Sequence, residues 1–130
     1  MPNNVKPSVV PLVCIVDDDA SMADSTRFLV RSFGFRTEAF LSAQEFLQSG
    51  LVEETSCLIL ILDLRMPGMS GLELQRHLAS ANQRIPIVFI SARANEDERS
   101  QAIAGGAVDF LRKPFNEEEL LKAIQAALNR

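Results

Sequence analysis

Six residues whose side chains can carry out acid–base or metal chemistry stand where short apolar runs of the sequence end. In chain order these residues are Asp17, Asp18, Asp19, Asp63, Ser91 and Lys113. A lone aspartate after an apolar run is more often a turn former or a helix cap than a nucleophile, and we expect Asp19 to be only the cap of the first helix. The ordered combination of acids, a hydroxyl and an ammonium group is a far more specific signal.

The chemistry that this combination supports is phosphoryl transfer. Carboxylates brought close together, here Asp17, Asp18 and Asp63, repel one another and raise each other's pKa values, so a compensating cation is needed. Mg²⁺ suits a site with few carboxylates, because it keeps waters and also binds phosphate oxygens. Lys113 adds a fixed positive charge and Ser91 a hydroxyl donor. Positioning and charge neutralisation are what phosphoryl transfer mainly requires.

Five apolar runs predict the strands that must position these residues. They are Leu12–Val16, Arg36–Phe40, Cys57–Leu62, Ile85–Ile90 and Ala107–Leu111. Continuous apolar runs of this length are typical of parallel strands covered on both faces, and the mixed second run predicts an edge strand.

Helix-start signals lie between the predicted strands. Four Ser or Asn residues are followed three positions later by Glu, as in a capping box: Ser42–Glu45, Ser70–Glu73, Asn95–Glu98 and Asn116–Glu119. With the helix after Asp19, this predicts five helices alternating with five strands, and Gly34 and Gly50 are expected helix stops. The fourth helix, roughly Asn95 to Ala104, is mostly polar, so we expect it to be weakly anchored.

Alternation of strands and helices predicts an α/β fold of three layers, with a parallel sheet between two layers of helices. In such sheets ligands bind at the carboxyl ends of the strands, which is where all six residues fall.

Composition restricts the broad class of protein. Apolar residues make up 47% of the 130 residues, charged residues 23%, and the net charge is −4. Without a cluster of basic residues, direct nucleic-acid binding is not expected, and no apolar stretch is long enough for a membrane span. Cys14 and Cys57 are expected to be reduced and buried, which suits a cytoplasmic location. Residues 1–10 are interpreted as a flexible tail and 11–130 as one domain.

The motifs resemble the signature of the receiver domain of two-component response regulators. The similarity rests on the segments 15–19 (IVDDD), 62–71 (LDLRMPGMSG), 89–92 (FISA) and 106–115 (GAVDFLRKPF), and is greatest to FixJ-like regulators with a LuxR-type helix-turn-helix effector domain. This resemblance implies a flavodoxin-like (βα)5 fold with strand order 2-1-3-4-5.

The resemblance also implies a role for each site residue. Asp63 would accept a phosphoryl group from a sensor histidine kinase. Asp18, Asp17, Asp63 and the backbone carbonyl of Arg65 would hold Mg²⁺, with Mn²⁺ able to substitute. Lys113 would pair with the phosphoryl oxygens. The chain would then be a signalling domain and not an enzyme, apart from self-catalysed phosphotransfer and slow autodephosphorylation.

A switch and its partners follow from the same resemblance. The Lys113–Pro114 peptide bond would be cis. On phosphorylation Ser91 would turn toward the new charge and Phe110 would move inward, altering the face formed by the fourth helix, fifth strand and fifth helix. That face would support a phosphorylation-dependent homodimer, and the output would be transcription through an effector domain outside these residues. Ser91 replaces the commoner Thr and Phe110 the commoner Tyr, which affects the switch and not the chemistry.

Three other functions fit the residues less well. A small phosphohydrolase of the haloacid-dehalogenase type would use Asp17 as nucleophile, but its long insert and later acidic pair are missing. A receiver-like module that no longer accepts phosphate would need a missing site residue, and none is missing. A Rossmann nucleotide-binding domain is disfavoured, because no G-x-G-x-x-G follows the first strand.

Overall fold

A computed structural model of the chain describes residues 10–54 and 58–129. Within these ranges the chain forms five strands and six helices. The strands are β1 (Leu12–Val16), β2 (Arg36–Phe40), β3 (Leu58–Asp63), β4 (Ile87–Ser91) and β5 (Asp109–Arg112). The helices are α1 (Ala20–Ser32), α2 (Ala43–Gln48), α3 (Leu51–Glu54), α4 (Gly71–Ser80), α5 (Glu96–Ala104) and α6 (Glu117–Leu128).

All five strands pair in parallel in one sheet, in the order β2-β1-β3-β4-β5. The order and the parallel pairing confirm the sequence-based prediction. Every residue of β1, β3 and β4 is buried, which explains why these strands are almost wholly apolar in sequence. The mixed strand β2 lies at an edge of the sheet, as its composition predicts.

Helices cover both faces of the sheet and create two separate cores. On one face Phe46 of α2, Leu74 of α4 and Ala102 of α5 pack against the sheet. On the other face the buried residues of α1 and α6 pack, including Val30 and Ile124. The predicted three-layer α/β architecture is therefore confirmed.

The predicted caps are present at the start of each long helix. Asp19 caps α1, because its Oδ1 accepts a hydrogen bond from the backbone N–H of Met22 at 3.1 Å. Complete capping boxes begin α4, α5 and α6 at Ser70, Asn95 and Asn116. At α2 the cap differs in one bond, since Glu45 accepts from the N–H of Leu41 and not from the cap residue.

The prediction of five helices is wrong by one. Gly50 has φ +77° and follows the end of α2 as expected, but the chain then forms the additional short helix α3. Burial of Val52 against the core stabilises this turn. Strand β4 also begins later than predicted, at Ile87, although the carbonyl of Pro86 still accepts a bond from the N–H of Leu60 at 3.0 Å.

Helix α5 packs as weakly as its sequence predicts. Ala102 is its one buried residue, and Ile103, its largest apolar side chain, is 44% exposed. The fourth and fifth helices of the sequence-based prediction correspond to α5 and α6.

Part of the sequence-based prediction lies outside the described residues, namely positions 1–9 of the predicted tail and Cys57. Val10 of that tail is described, and its carbonyl accepts two hydrogen bonds from the guanidinium of Arg36. Cys14 is a buried free thiol as expected, and burial raises its pKa to about 12. Over residues 10–54 and 58–129, no helix combines the length and apolar character that crossing a bilayer would require.

Candidate functional site

The candidate site lies at the carboxyl edge of the sheet, because parallel strands all end on the same side. Asp17 directly follows β1, Asp63 is the last residue of β3 and Ser91 is the last residue of β4. Lys113 directly follows β5. Residues up to 96 positions apart in the chain therefore meet at one edge.

Three carboxylates form the centre of this edge. Oxygen atoms of Asp17, Asp18 and Asp63 all lie within 4.8 Å of one another. Asp17 and Asp63 are buried, whereas Asp18 is exposed. The first of these, Asp17, also accepts a hydrogen bond from the N–H of Asp19 at 3.0 Å, which fixes the turn into α1. The fourth aspartate, Asp19, serves as a helix cap and is not part of this group of three.

Lys113 supplies the positive charge inside the site. Its Nζ lies 2.9 Å from Oδ2 of Asp17 and 3.6 Å from Oδ2 of Asp63. Its backbone N–H donates to the carbonyl of Ser91 at 2.9 Å, so the loop after β5 is tied to the end of β4. The Lys113–Pro114 peptide bond is cis.

The electrostatics of the site shift two pKa values upward for different reasons. Burial, followed by the nearby charge of Asp17, raises the pKa of Asp63 to about 7, although Lys113 opposes this shift. For Lys113, burial acts to lower the pKa, but the hydrogen bond from Lys113 to Asp17 and the charge of Asp63 outweigh it, so its pKa is raised. Near neutral pH Asp63 is thus balanced between its protonated and ionised forms, while Lys113 stays charged.

Ser91 and Phe110 lie on the neighbouring strands β4 and β5, where Ser91 pairs with Arg112, two residues beyond Phe110. The hydroxyl oxygen of Ser91 accepts a hydrogen bond from the N–H of Arg93 at 3.1 Å, so its own proton is left to donate elsewhere. Phe110 pairs with Phe89 across β5 and β4, and the two rings stack with centroids 6.1 Å apart.

The ring of Phe110 is already buried, with 8% of its surface exposed. Phenylalanine has no phenol oxygen, so burying the ring leaves no polar atom without a partner. The further inward movement of Phe110 on phosphorylation stays a prediction.

Two contacts near the site were not found from the sequence. The exposed side chain of Arg65 contacts the carbonyl of Arg93 and the carboxylate of Glu98. Gly71, the first residue of α4, packs so closely under β3 that a Cβ would collide with the carbonyl oxygen of Asp63. Neither contact has a local signal in sequence, because each joins residues on different elements.

The site residues fit a hard divalent cation. The three clustered carboxylates offer oxygen ligands, and the raised pKa of Asp63 indicates that negative charge there is under-compensated by Lys113 alone. A cation, an ammonium group and a serine hydroxyl around one carboxylate can together hold a tetrahedral dianion.

Comparison with known proteins agrees with this geometry. Residues 13–125 match the family described as the response regulator receiver domain. Nodulation protein W of Bradyrhizobium diazoefficiens is 48% identical over 95% of this chain, and response regulator protein TodT of Pseudomonas putida is 49% identical over 90%. The chain spans about half the length of these relatives, 53% and 51%. Other matching relatives are called transcriptional regulatory proteins.

A solved structure gives the same result for the fold. The crystal structure of FixJ-N superposes with a TM-score of 0.86 at 33% identity, covering 95% of this chain and 97% of that one. The family match, the identities near one half and the shared fold set aside the hydrolase and Rossmann alternatives. The chain belongs to the response regulator receiver domain family and is a receiver domain of a two-component system, a signalling domain and not a conventional enzyme.

Proposed function

We propose that this receiver domain, running from residue 11 to residue 130, accepts a phosphoryl group on Asp63 from the phosphohistidine of a sensor histidine kinase. The observation that carries the proposal is the meeting of Asp63, two further aspartates and Lys113 at one sheet edge. A carboxylate oxygen of Asp63 would attack phosphorus, the P–N bond to histidine would break, and an acyl phosphate would form.

The residues around Asp63 divide the work of this transfer. Lys113 would pair with the oxygens of the incoming phosphoryl group. It would need to move little, because its Nζ already lies 3.6 Å from Oδ2 of Asp63. Ser91 would donate its free hydroxyl proton to another of those oxygens. Both donors are held by backbone contacts of β4 and the loop after β5, so little reorganisation is needed.

Receiver domains bind Mg²⁺ at an acidic pocket, and the carboxylates of this chain form such a cluster. We propose that Asp18, Asp17, Asp63 and the backbone carbonyl of Arg65 hold the ion, with Mn²⁺ able to substitute. When bound, Mg²⁺ would neutralise the carboxylates and the phosphoryl oxygens. Asp63 is the nucleophile and must be ionised to react, so its raised pKa makes a nearby cation valuable.

The output is proposed to be a change of the face formed by α5, β5 and α6, followed by homodimerisation through it. Support comes from the weak packing of α5, from the exposed Ile103 on this helix and from the edge position of β5. Ser91 and Phe110 would couple the site to this face. Transcription would be regulated by an effector domain outside these residues, in the cytoplasm where the kinase carries its phosphohistidine.

The test is the intact mass of wild type and Asp63→Asn after incubation with acetyl phosphate and Mg²⁺, with EDTA as a control. One added phosphoryl group in wild type, absent in the variant and in EDTA, is the expected result. Labelling that survives in Asp63→Asn would move the acceptor to another residue such as Asp17. If wild type is labelled neither by acetyl phosphate nor by a panel of histidine kinases, the chain is a non-phosphorylated module.

Dimerisation is tested separately by light scattering with Mg²⁺ and a beryllofluoride phosphoryl mimic. We expect the apparent mass to rise toward that of a dimer, and Ile103→Glu to reduce the rise, because a charge would be buried in the contact. A wild-type mass that stays monomeric with the mimic bound would refute the dimer.

A further inference from the structure

Arg65 stands two residues after the proposed phosphoacceptor, and its side chain makes two specific contacts. Its Nε donates to the carbonyl of Arg93 at 2.8 Å, and its Nη2 donates to Oε1 of Glu98 at 2.6 Å. One guanidinium thus joins the loop after β3 to both the loop after β4 and the first turn of α5. The fork of donors on arginine makes such a double attachment geometrically demanding.

Glu98 in turn accepts two hydrogen bonds at the same carboxylate oxygen. Its Oε1 also accepts a hydrogen bond from the backbone N–H of Asn95 at 3.1 Å, which completes the capping box of α5. Since the carboxylate is fixed by the cap, it offers Arg65 a stationary partner. The side chain of Glu98 is only 23% exposed, compared with 56% for Arg65.

Another attachment of α5 lies at its other end. The side-chain amide of the buried Gln75 on α4 donates to the carbonyl of Ala102 at 2.9 Å, and Ala102 is the single buried residue of α5. Little apolar surface therefore fixes the first turn of this helix. The ion pair with Arg65 is the salt bridge that fastens this turn, among the residues that the structure describes.

We infer that Glu98 is a positioning residue for the cation site and acts through Arg65. By holding the guanidinium, Glu98 restrains the backbone of Arg65, whose carbonyl is proposed as a metal ligand. The inference rests on the proposed function, because it requires a cation at that carbonyl. It adds a connection from the site to α5 that does not pass through Ser91 or Phe110.

The connection must act in both directions. If the Arg65–Glu98 pair makes the site better suited to Mg²⁺, then Mg²⁺ must equally stabilise the pair and the first turn of α5. Mg²⁺ alone, before any phosphoryl transfer, is therefore expected to reduce the opening of this turn.

The test measures Mg²⁺ affinity by amide chemical-shift titration of the whole chain. Glu98→Gln removes the charge but keeps an oxygen for the cap, and Glu96→Gln removes the same charge from the same turn without touching a salt bridge of the described chain. Each is measured in wild type and in an Arg65→Gln background. This cycle separates the contact from the general effect of losing one negative charge.

We expect Glu98→Gln to weaken Mg²⁺ binding about two- to five-fold more than Glu96→Gln does, the range for an exposed ion pair. In the Arg65→Gln background the two substitutions should have equal effects. Hydrogen exchange should show Mg²⁺ slowing the first-turn amides of α5 in wild type, and doing so less in Glu98→Gln and in Arg65→Gln.

Two results would overturn the inference, and they are distinguishable. If wild type binds Mg²⁺ but Glu98→Gln and Glu96→Gln behave alike, the cation site stands and the positioning role is refuted. If Mg²⁺ shifts no amide around Asp17, Asp18 and Asp63 in wild type, the proposed cation site itself fails and the inference fails with it.

Discussion

Asp63 combines two demands that conflict at the scale of a single residue. As the proposed phosphoacceptor, it would need to be buried among donors to hold a phosphoryl group, and it would need to be ionised to attack one. Burial and the neighbouring Asp17 favour the protonated form, and Lys113 compensates for them only in part. The protein thus stores electrostatic strain at this residue, which a cation can relieve.

The first prediction concerns the pH dependence of this strain. The folded pKa of Asp63 is about 7, whereas the unfolded value is about 3.9, so the folded state binds the extra proton between these values. Stability from this group is therefore lost as pH rises from about 4 to about 7. Asp63→Asn should be more stable than wild type at pH 8 without metal, by at most about 4 kcal/mol, and the difference should vanish near pH 4.

Urea unfolding in EDTA across this pH range measures the effect. Asp97→Asn, a substitution of the same type in the first turn of α5, is the control for the general loss of one carboxylate. A stability difference between Asp63→Asn and wild type that stays constant with pH would contradict the shifted pKa.

The second prediction concerns Gly71. A Cβ here would collide with the carbonyl oxygen of Asp63 and come within 3.0 Å of Cα of Leu64, and both are backbone atoms at the buried end of β3. Gly71→Ala should therefore cost about 1–3 kcal/mol, as overpacking does. Gly105→Ala is the matched case, since its Cβ would meet the amide end of the Gln75 side chain and not backbone atoms, and it should cost less. Equal losses in thermal unfolding would refute the distinction.

At the scale of elements, α5 and α6 begin with the same capping box but differ in packing. Four residues of α6 are buried in the core that it shares with α1, whereas only Ala102 is buried in α5. The same local motif therefore starts one helix that is part of the cooperative core and another that can open separately.

The third prediction uses this pair of helices. Asn116→Ala removes the cap of α6 and should lower the global free energy of unfolding by about 1 kcal/mol. Asn95→Ala removes the equivalent cap of α5 and should mainly speed hydrogen exchange within α5, with a smaller change in global stability. Denaturant unfolding and native-state exchange on both variants give the comparison, and identical global losses would show that α5 is not a separate unit.

At the scale of the whole molecule, the site links distant parts of the chain, because its residues lie at the ends of four different strands. Three carboxylates held together by the fold repel one another and lower the stability of the domain when no cation is bound, and the same three oxygen ligands could hold a cation. Cation binding is therefore expected to stabilise the entire domain and not only the loops that supply the ligands.

The fourth prediction follows from this coupling. Mg²⁺ should raise the unfolding temperature, adding about 1.4 kcal/mol for each tenfold excess over its Kd. Below about pH 7 a proton competes for Asp63, so the gain should shrink as pH falls. Differential scanning calorimetry at several pH values tests this, with Asp18→Asn as a variant that removes one proposed ligand. An equal gain in that variant would indicate nonspecific salt stabilisation.

The sequence by itself determined the secondary-structure elements and the edge of the sheet at which the candidate site residues lie. Apolar runs, caps and glycine stops are local signals, so β1 to β5, the long helices and their caps followed from short stretches of sequence. The meeting of Asp17 with Lys113, 96 residues apart, was also foreseeable, because all parallel strands end at one edge. The resemblance to a known family supplied the strand order and a role for each residue.

Only the tertiary structure decided which side chains touch once the elements are packed. Three features depend on distances between elements, which no periodic pattern in the sequence encodes. They are the contact of Arg65 with Glu98, the tight fit of Gly71 under Asp63 and the buried ring of Phe110. The short helix α3 was missed for a related reason, since burial of Val52 against the core stabilises a new helical turn after the stop at Gly50. The local sequence determines which secondary structure each segment forms, and tertiary packing determines which other segments it contacts.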